Sequence, residues 1–175
     1  MKWILFLIAL GFGLPLIAEV PAGKHMTDRT ISHEVIVNAS RENVFELWVN
    51  EEGIKKFFGL SAEVENKLGG KYFIYFHQED RGLSSEGARI LRYDPPEFLS
   101  FEWRGKPEMV EMNAQPFPTW VEVEFTPGDP QGTKTKVGLH HYGFGKGGTW
   151  DQAYSFFDTS WKRVLENLAK LFSKT

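Results

Sequence analysis

The chain has 175 residues, 42% hydrophobic and 25% charged, enough to bury one sizeable core, and one domain is the default. Its 20 basic and 23 acidic residues are scattered and leave a formal charge of -3; no basic stripe exists to neutralise phosphates, so nucleic acid is not an expected partner. The absence of cysteine excludes disulfides, thiolate metal sites and cysteine nucleophiles.

The first predicted element is an address. Lys2 precedes an apolar run from Trp3 to Ile17, short for a membrane span but ordered like a signal peptide. Ala18 and Ala22 both offer cleavage points, and Val20-Pro21-Ala22 before Gly23 favours the later one. Residues 1–22 therefore read as a signal peptide and 23–28 as a linker. With no cysteine to acylate, the mature chain is expected in the periplasm or secreted, without a stable membrane anchor. Two alternatives stay open: an uncleaved anchor across a thin bilayer, and translation starting at Met26.

From Thr30 to Val37, Ile31, His33, Val35 and Val37 share the alternating register of a half-buried strand. Ser40 offers an N-cap for a helix through Val44, Phe45, Leu47 and Trp48, and Asn50 caps a second short helix reaching Phe57 and Phe58. Lys71 to His77 is apolar on both faces; a turn at Glu79 to Gly82 leads to a strand from Glu86 to Tyr93, which Asp94-Pro95-Pro96 ends. Phe98 to Arg104 alternates, and Thr119 to Phe125 sets Val121, Val123 and Phe125 against Glu122 and Glu124. After a turn at Pro127 to Gly132, Lys134 to Tyr142 is the last strand, with Val137, Leu139 and His141 on one face. The stretch from Gly105 to Pro118 fits no period and reads as a long loop. The period then changes: Trp150, Ala153, Phe157, Trp161, Val164, Leu168 and Leu171 recur every three or four residues, and Thr149 with Gln152 reads as a capping box opening a long amphipathic helix.

This order defines an α+β chain: a strand, two short helices, an antiparallel run giving about six or seven strands in all, and one long terminal helix. Its motifs include Gly69-Gly70-Lys71-Tyr72 leading into a strand, and Gly87 to Tyr93 followed by Asp94-Pro95-Pro96-Glu97-Phe98-Leu99-Ser100-Phe101-Glu102-Trp103. Further on come Gly132-Thr133-Lys134, His141-Tyr142-Gly143-Phe144, and Trp161 with Val164-Leu165 and Leu168. Together, from about Arg29 to Phe172, they resemble the activator of heat-shock-protein ATPase homologue family within the START-like (SRPBCC) superfamily. Ser160 departs from the glycine the family often has before the helix tryptophan, and the Gly105 to Pro118 loop is longer than the pattern. The resemblance implies a helix-grip domain over residues 29–174, a curved sheet around the terminal helix with a cavity between them. It implies no reaction, and the eponymous co-chaperone role depends on a cytosolic partner that an exported protein would not meet.

The chain carries 15 Phe, 6 Trp and 5 Tyr, a large apolar area that must face either a core or a cavity. Trp48, Tyr72, Ile74, Phe76, Trp103, His141, Phe157 and Trp161 are the expected cavity residues, with ordinary core packing as the competing reading of each. Aromatic walls with few polar anchors suit a small apolar or aromatic molecule, its entrance gated by the Gly143 to Gly148 loop and the Gly105 to Pro118 loop. The protein partner, if any, is left unspecified. His33 and His141 fall in the inward register of neighbouring strands, where a polar pair would orient a ligand, and His141 with a carboxylate is the alternative of a cyclase- or hydrolase-type enzyme. A protein-interaction module, with a solid core and an exposed apolar patch, is a further alternative. No residue is assigned a catalytic role. No metal is expected, because His140 and His141 point to opposite faces of one strand, and no cofactor is expected: Gly143 to Gly148 lacks the spacing of a phosphate-binding loop. Glu86 and Arg104 are placed at strand ends, where an ion pair at the cavity mouth competes with solvated rim charges.

Overall fold

The computed structural model describes residues 28–173; the expected signal peptide and most of the expected linker lie outside the described residues. Seven strands and four helices follow in the order β1 (Ile31–Val37), α1 (Arg41–Trp48), α2 (Glu51–Phe57), β2 (Ser61–Val64), β3 (Tyr72–Tyr75), β4 (Ile90–Asp94), β5 (Phe98–Trp103), α3 (Val110–Asn113), β6 (Thr119–Pro127), β7 (Thr135–Tyr142) and α4 (Gly148–Leu171). β1, β7, β6, β5 and β4 form one antiparallel sheet in that order, and β2 pairs with β3. The two sheets touch through bridges at Lys71–Arg89 and Tyr75–Ser84. This is the expected α+β helix-grip arrangement, with seven strands divided five and two.

Alternation writes the sheet. In β6, Thr119, Val121, Val123 and Phe125 are buried while Trp120, Glu122 and Glu124 are not, and in β7 Val137, Leu139 and His141 are buried on the same side. Register ties the two strands together at Val121–His141, Val123–Leu139 and Phe125–Val137, so a slip of one residue would expose the whole row. At the β6–β7 turn, Gly132 has φ +68, a left-handed conformation that a side chain disfavours, while the Asp129 carboxylate accepts from the Thr133 and Lys134 backbone N–H groups at 2.8 and 3.2 Å. β3 is buried along its length, as its two apolar faces predict.

The inner face of the sheet lies on α4. Trp150, Ala153, Phe157, Trp161, Leu165 and Leu168 are the buried stripe of that helix, spaced three or four residues apart as one helical face requires. Each large side chain on it gains roughly 1.5–3 kcal/mol from burial before entropy is charged against it. α1 and α2 start as expected, with Ser40 accepting from Asn43 N–H and Asn50 from Gly53 N–H.

Four local expectations are corrected. β2 is a strand that the sequence does not announce, since only Ala62 of its four residues is buried. The expected strand from Glu86 begins as turn and isolated bridge, and regular pairing starts at Ile90. The segment from Gly105 to Pro118 is not a featureless loop: Asn113 accepts from Gly105 N–H at 2.9 Å and donates to the Lys106 carbonyl at 2.8 Å, with Met109 and Met112 buried. Finally, α4 has Gly147 at its N-cap position and no capping box. Thr149 lies inside the helix, and the Glu111 carboxylate of α3 accepts from its backbone N–H and from its hydroxyl. An acid from 38 residues away thus serves the positive end of the helix dipole.

Candidate ligand-binding cavity

Beside the core stripe of α4 runs a second stripe, Ser160, Arg163, Val164 and Asn167, at the spacing of one helical face. It faces a cavity of about 340 Å³, at the lower end of the ~300–1,000 Å³ typical of small-molecule sites. The opposite walls come from three places: Phe57 and Phe58 where α2 ends, Phe76 with Gly82, Leu83 and Ser84 beyond β3, and Trp103 to Lys106 where β5 ends.

Aromatic rings dominate the wall. Phe58 lies stacked on Trp103 at 5.8 Å between centroids and reaches Trp161 at 5.4 Å and Phe76 at 5.8 Å. Trp103 meets Trp161 at 5.0 Å and Phe157 edge-on at 6.5 Å. Trp103, Phe157 and Trp161 are buried, whereas Phe76 is 39% and Phe156 37% exposed at the mouth. The Trp103 indole N–H is buried without an acceptor among the described residues, a deficit that commonly costs about 1–3 kcal/mol.

Of the residues expected around a cavity, Phe76, Trp103, Phe157 and Trp161 line it; Trp48, Tyr72, Ile74 and His141 do not. Tyr72 stacks on Phe101 at 4.1 Å and donates its hydroxyl to the Trp48 carbonyl at 3.0 Å. Both are core, and Ile74 is fully buried with them.

His141 is fully buried, and both ring nitrogens are engaged. Trp161 Nε1–H donates to Nδ1 at 3.0 Å. Thr119 Oγ1 donates to the Trp103 carbonyl at 2.8 Å and sits 2.8 Å from His141 Nε2. The hydroxyl proton being committed, Nε2 is the protonated nitrogen and donates to Thr119. Burial pushes the imidazole pKa down to about 3. A neutral ring with no free nitrogen, outside the cavity wall, has neither the reach nor the pKa of a general base poised near neutrality. Its place is structural: it joins α4 to the end of β5 by a relay of three hydrogen bonds.

The other polar expectations separate in the same way. His33 pairs with Asp158 at 2.9 Å, His140 with Ser32 at 2.9 Å, and His77 accepts from the Glu79 and Asp80 backbone N–H groups. Glu86 is bound to Arg81 rather than Arg104. No residue from Gly143 to Gly148 lines the cavity; Phe144 anchors that loop, fully buried and 4.5 Å from the His141 ring. Gly105 and Lys106, from the other expected gate, do line it.

Phe57, Phe58 and Arg163 are among the wall residues that sequence reasoning left out of the site, with Leu83, Phe156, Ser160, Val164 and Asn167. Phe57 and Phe58 were legible only as the end of a helix, and Arg163 as a polar residue beside the apolar stripe.

A curved antiparallel sheet gripping one long helix, with an aromatic cavity at the edge of the grip, places the protein in the helix-grip class. The chain belongs to the family described as Activator of Hsp90 ATPase homolog 1-like protein, which it matches over residues 38–173. No curated protein matches it. Among solved structures it resembles a protein from Mesorhizobium loti (20% identity, 82% of this chain and 96% of that one, TM-score 0.64). It also resembles the Aha1 dimer from Colwellia psychrerythraea (16%, 82% and 96%, 0.60) and an Hsp90 activator from Plasmodium falciparum (17%, 81% and 95%, 0.60). At these identities the likeness is one of fold.

Proposed function

We propose that the protein binds a small apolar or aromatic molecule in the cavity beside α4 and that it does so as an exported protein, in the periplasm or outside the cell. The cavity walled by Phe58, Trp103, Phe157 and Trp161 carries this reading: a core built only for stability closes such space, because empty volume sacrifices contacts. The leader supports export, since its charge, apolar run and small residues follow the order of an export signal. Binding alone is proposed, since no titratable group on the wall is paired with a base or nucleophile in the manner catalysis requires.

A second reading is a co-chaperone-like protein module. The family description and the Plasmodium falciparum activator favour it, and Phe117 and Val110, 77% and 62% exposed on the segment around α3, offer apolar surface.

Native mass spectrometry of the chain purified from its own host tests the first reading, alongside Ser160→Phe, which places a ring in the cavity. Binding predicts an added mass on the wild type that is lost on denaturation and absent from the folded variant. A bare mass for both, together with no thermal shift across a lipid and aromatic library, rejects the ligand reading and directs the search to protein capture.

A further inference from the structure

We infer that the ligand is an anionic amphiphile, a carboxylate with an apolar chain or ring, its apolar part against Phe58, Trp103 and Trp161 and its head group held at the rim by Arg104, Arg163 and Lys106. This rests on the cavity being a ligand site and specifies what enters it.

The charge of the wall carries the inference. Arg104, Lys106 and Arg163 all line the cavity, and no Asp or Glu does. The chain as a whole is negative at -3, so the wall opposes the sign of the molecule. Among the described residues Arg104 and Arg163 enter no ion pair, whereas Arg81 nearby is held by Glu63 and Glu86 at 3.6 and 3.1 Å. Lys106 is 3.7 Å from Glu108 and lies 4.0 Å over the Phe156 ring at the mouth.

The three cations come from two places far apart in sequence, Arg104 and Lys106 from the segment just after β5 and Arg163 from α4. Their place on one cavity wall is therefore a product of the tertiary fold, not of a run of like charges in the sequence. Cations beside a low-dielectric aromatic wall raise the local concentration of anions, and two guanidinium groups suit the fork geometry of a carboxylate. Apolar rings below, with the unpaired guanidinium groups of Arg104 and Arg163 above and Lys106 shared with Glu108, are complementary to an amphiphile with an anionic head. A neutral hydrocarbon would leave the charges unused, and a cation would be repelled.

Calorimetric titration of the purified chain with decanoate, 2-naphthoate, decanol and decyltrimethylammonium, each below its micellar concentration, separates the outcomes. The expected result is that at least one acid binds ten-fold or more tightly than decanol, that this advantage falls with salt, and that the ammonium compound binds least. Decanoate against 2-naphthoate tells a chain-bearing acid from an aromatic one. In the Arg104→Gln/Arg163→Gln double variant the acid should weaken at least ten-fold while decanol keeps its affinity, a pattern that misfolding cannot produce. Decanol binding as tightly as both acids, or acids unaffected by the double variant, overturns the anionic head while leaving the cavity a ligand site. No binding of any compound overturns both.

Discussion

Acidification from pH 7 to pH 5 should destabilise the protein through one buried side chain. In the unfolded chain His141 titrates with an ordinary imidazole pKa near 6.5; in the folded protein burial lowers it to about 3. Between those values the unfolded state binds the extra proton, so stability is full above about pH 6.5 and drains away as pH falls toward 3. The complete difference corresponds to roughly 5 kcal/mol, of which about 2 kcal/mol is lost between pH 7 and pH 5. Carboxylates lowered by their partners, such as Asp129 by the Thr133 hydroxyl and Asp151 by Arg29, lose their contribution only as pH falls through about 4 and below. Urea unfolding at pH 7, 6 and 5 should show this loss in the wild type. His141→Gln, which cannot protonate, should be less stable at pH 7 because it can replace only part of the relay to Trp161 and Thr119, yet nearly flat over the same range. Equal slopes in the two proteins would refute the assignment of the acid sensitivity to His141.

Removing the distant cap by Glu111→Ala should cost about 0.5–2 kcal/mol, read by urea unfolding, and should speed amide exchange around Thr149 and through the segment around α3, where the reciprocal contacts lie. Tyr72→Phe should cost about 1–2 kcal/mol by taking the buried hydroxyl from the Trp48 carbonyl, without altering ligand affinity, because neither residue lines the cavity.

Periodicity made the framework readable. The alternation of β6 and β7 and the stripe of α4 have side chains whose burial follows from their own spacing, and that spacing alone defines the fold class. What escaped was set by partners far away in sequence. Thr149 and Gln152 have the letters of a capping box, but the acid that serves the helix end is Glu111 on α3. β2 carries too little apolar surface to register as a strand, and exists because β3 pairs with it.

The cavity was half legible for the same reason. Phe76, Trp103, Phe157 and Trp161 were identifiable as large apolar side chains on inward positions, and so were Trp48, Tyr72 and Ile74; only packing decides which of them meet each other and which meet empty space. His141 could be placed inward by register, but the engagement of both its nitrogens depends on Thr119 and Trp161 together. Arg163 is one polar helical residue among several until the fold places it on the same cavity wall as Arg104 and Lys106.

The most direct test of the cavity as the binding site is a two-dimensional NMR titration that follows the tryptophan indole N–H signals while decanoate or decanol is added. Trp103 and Trp161 line the cavity, whereas Trp120 stacks on Tyr142 on the outer face and Trp150 lies at the start of α4. Binding in the cavity predicts saturable shifts at Trp103 and Trp161 with Trp120 and Trp150 nearly unmoved, abolished in Ser160→Phe. Shifts confined to Trp120, or no saturable shift at any indole, would contradict it.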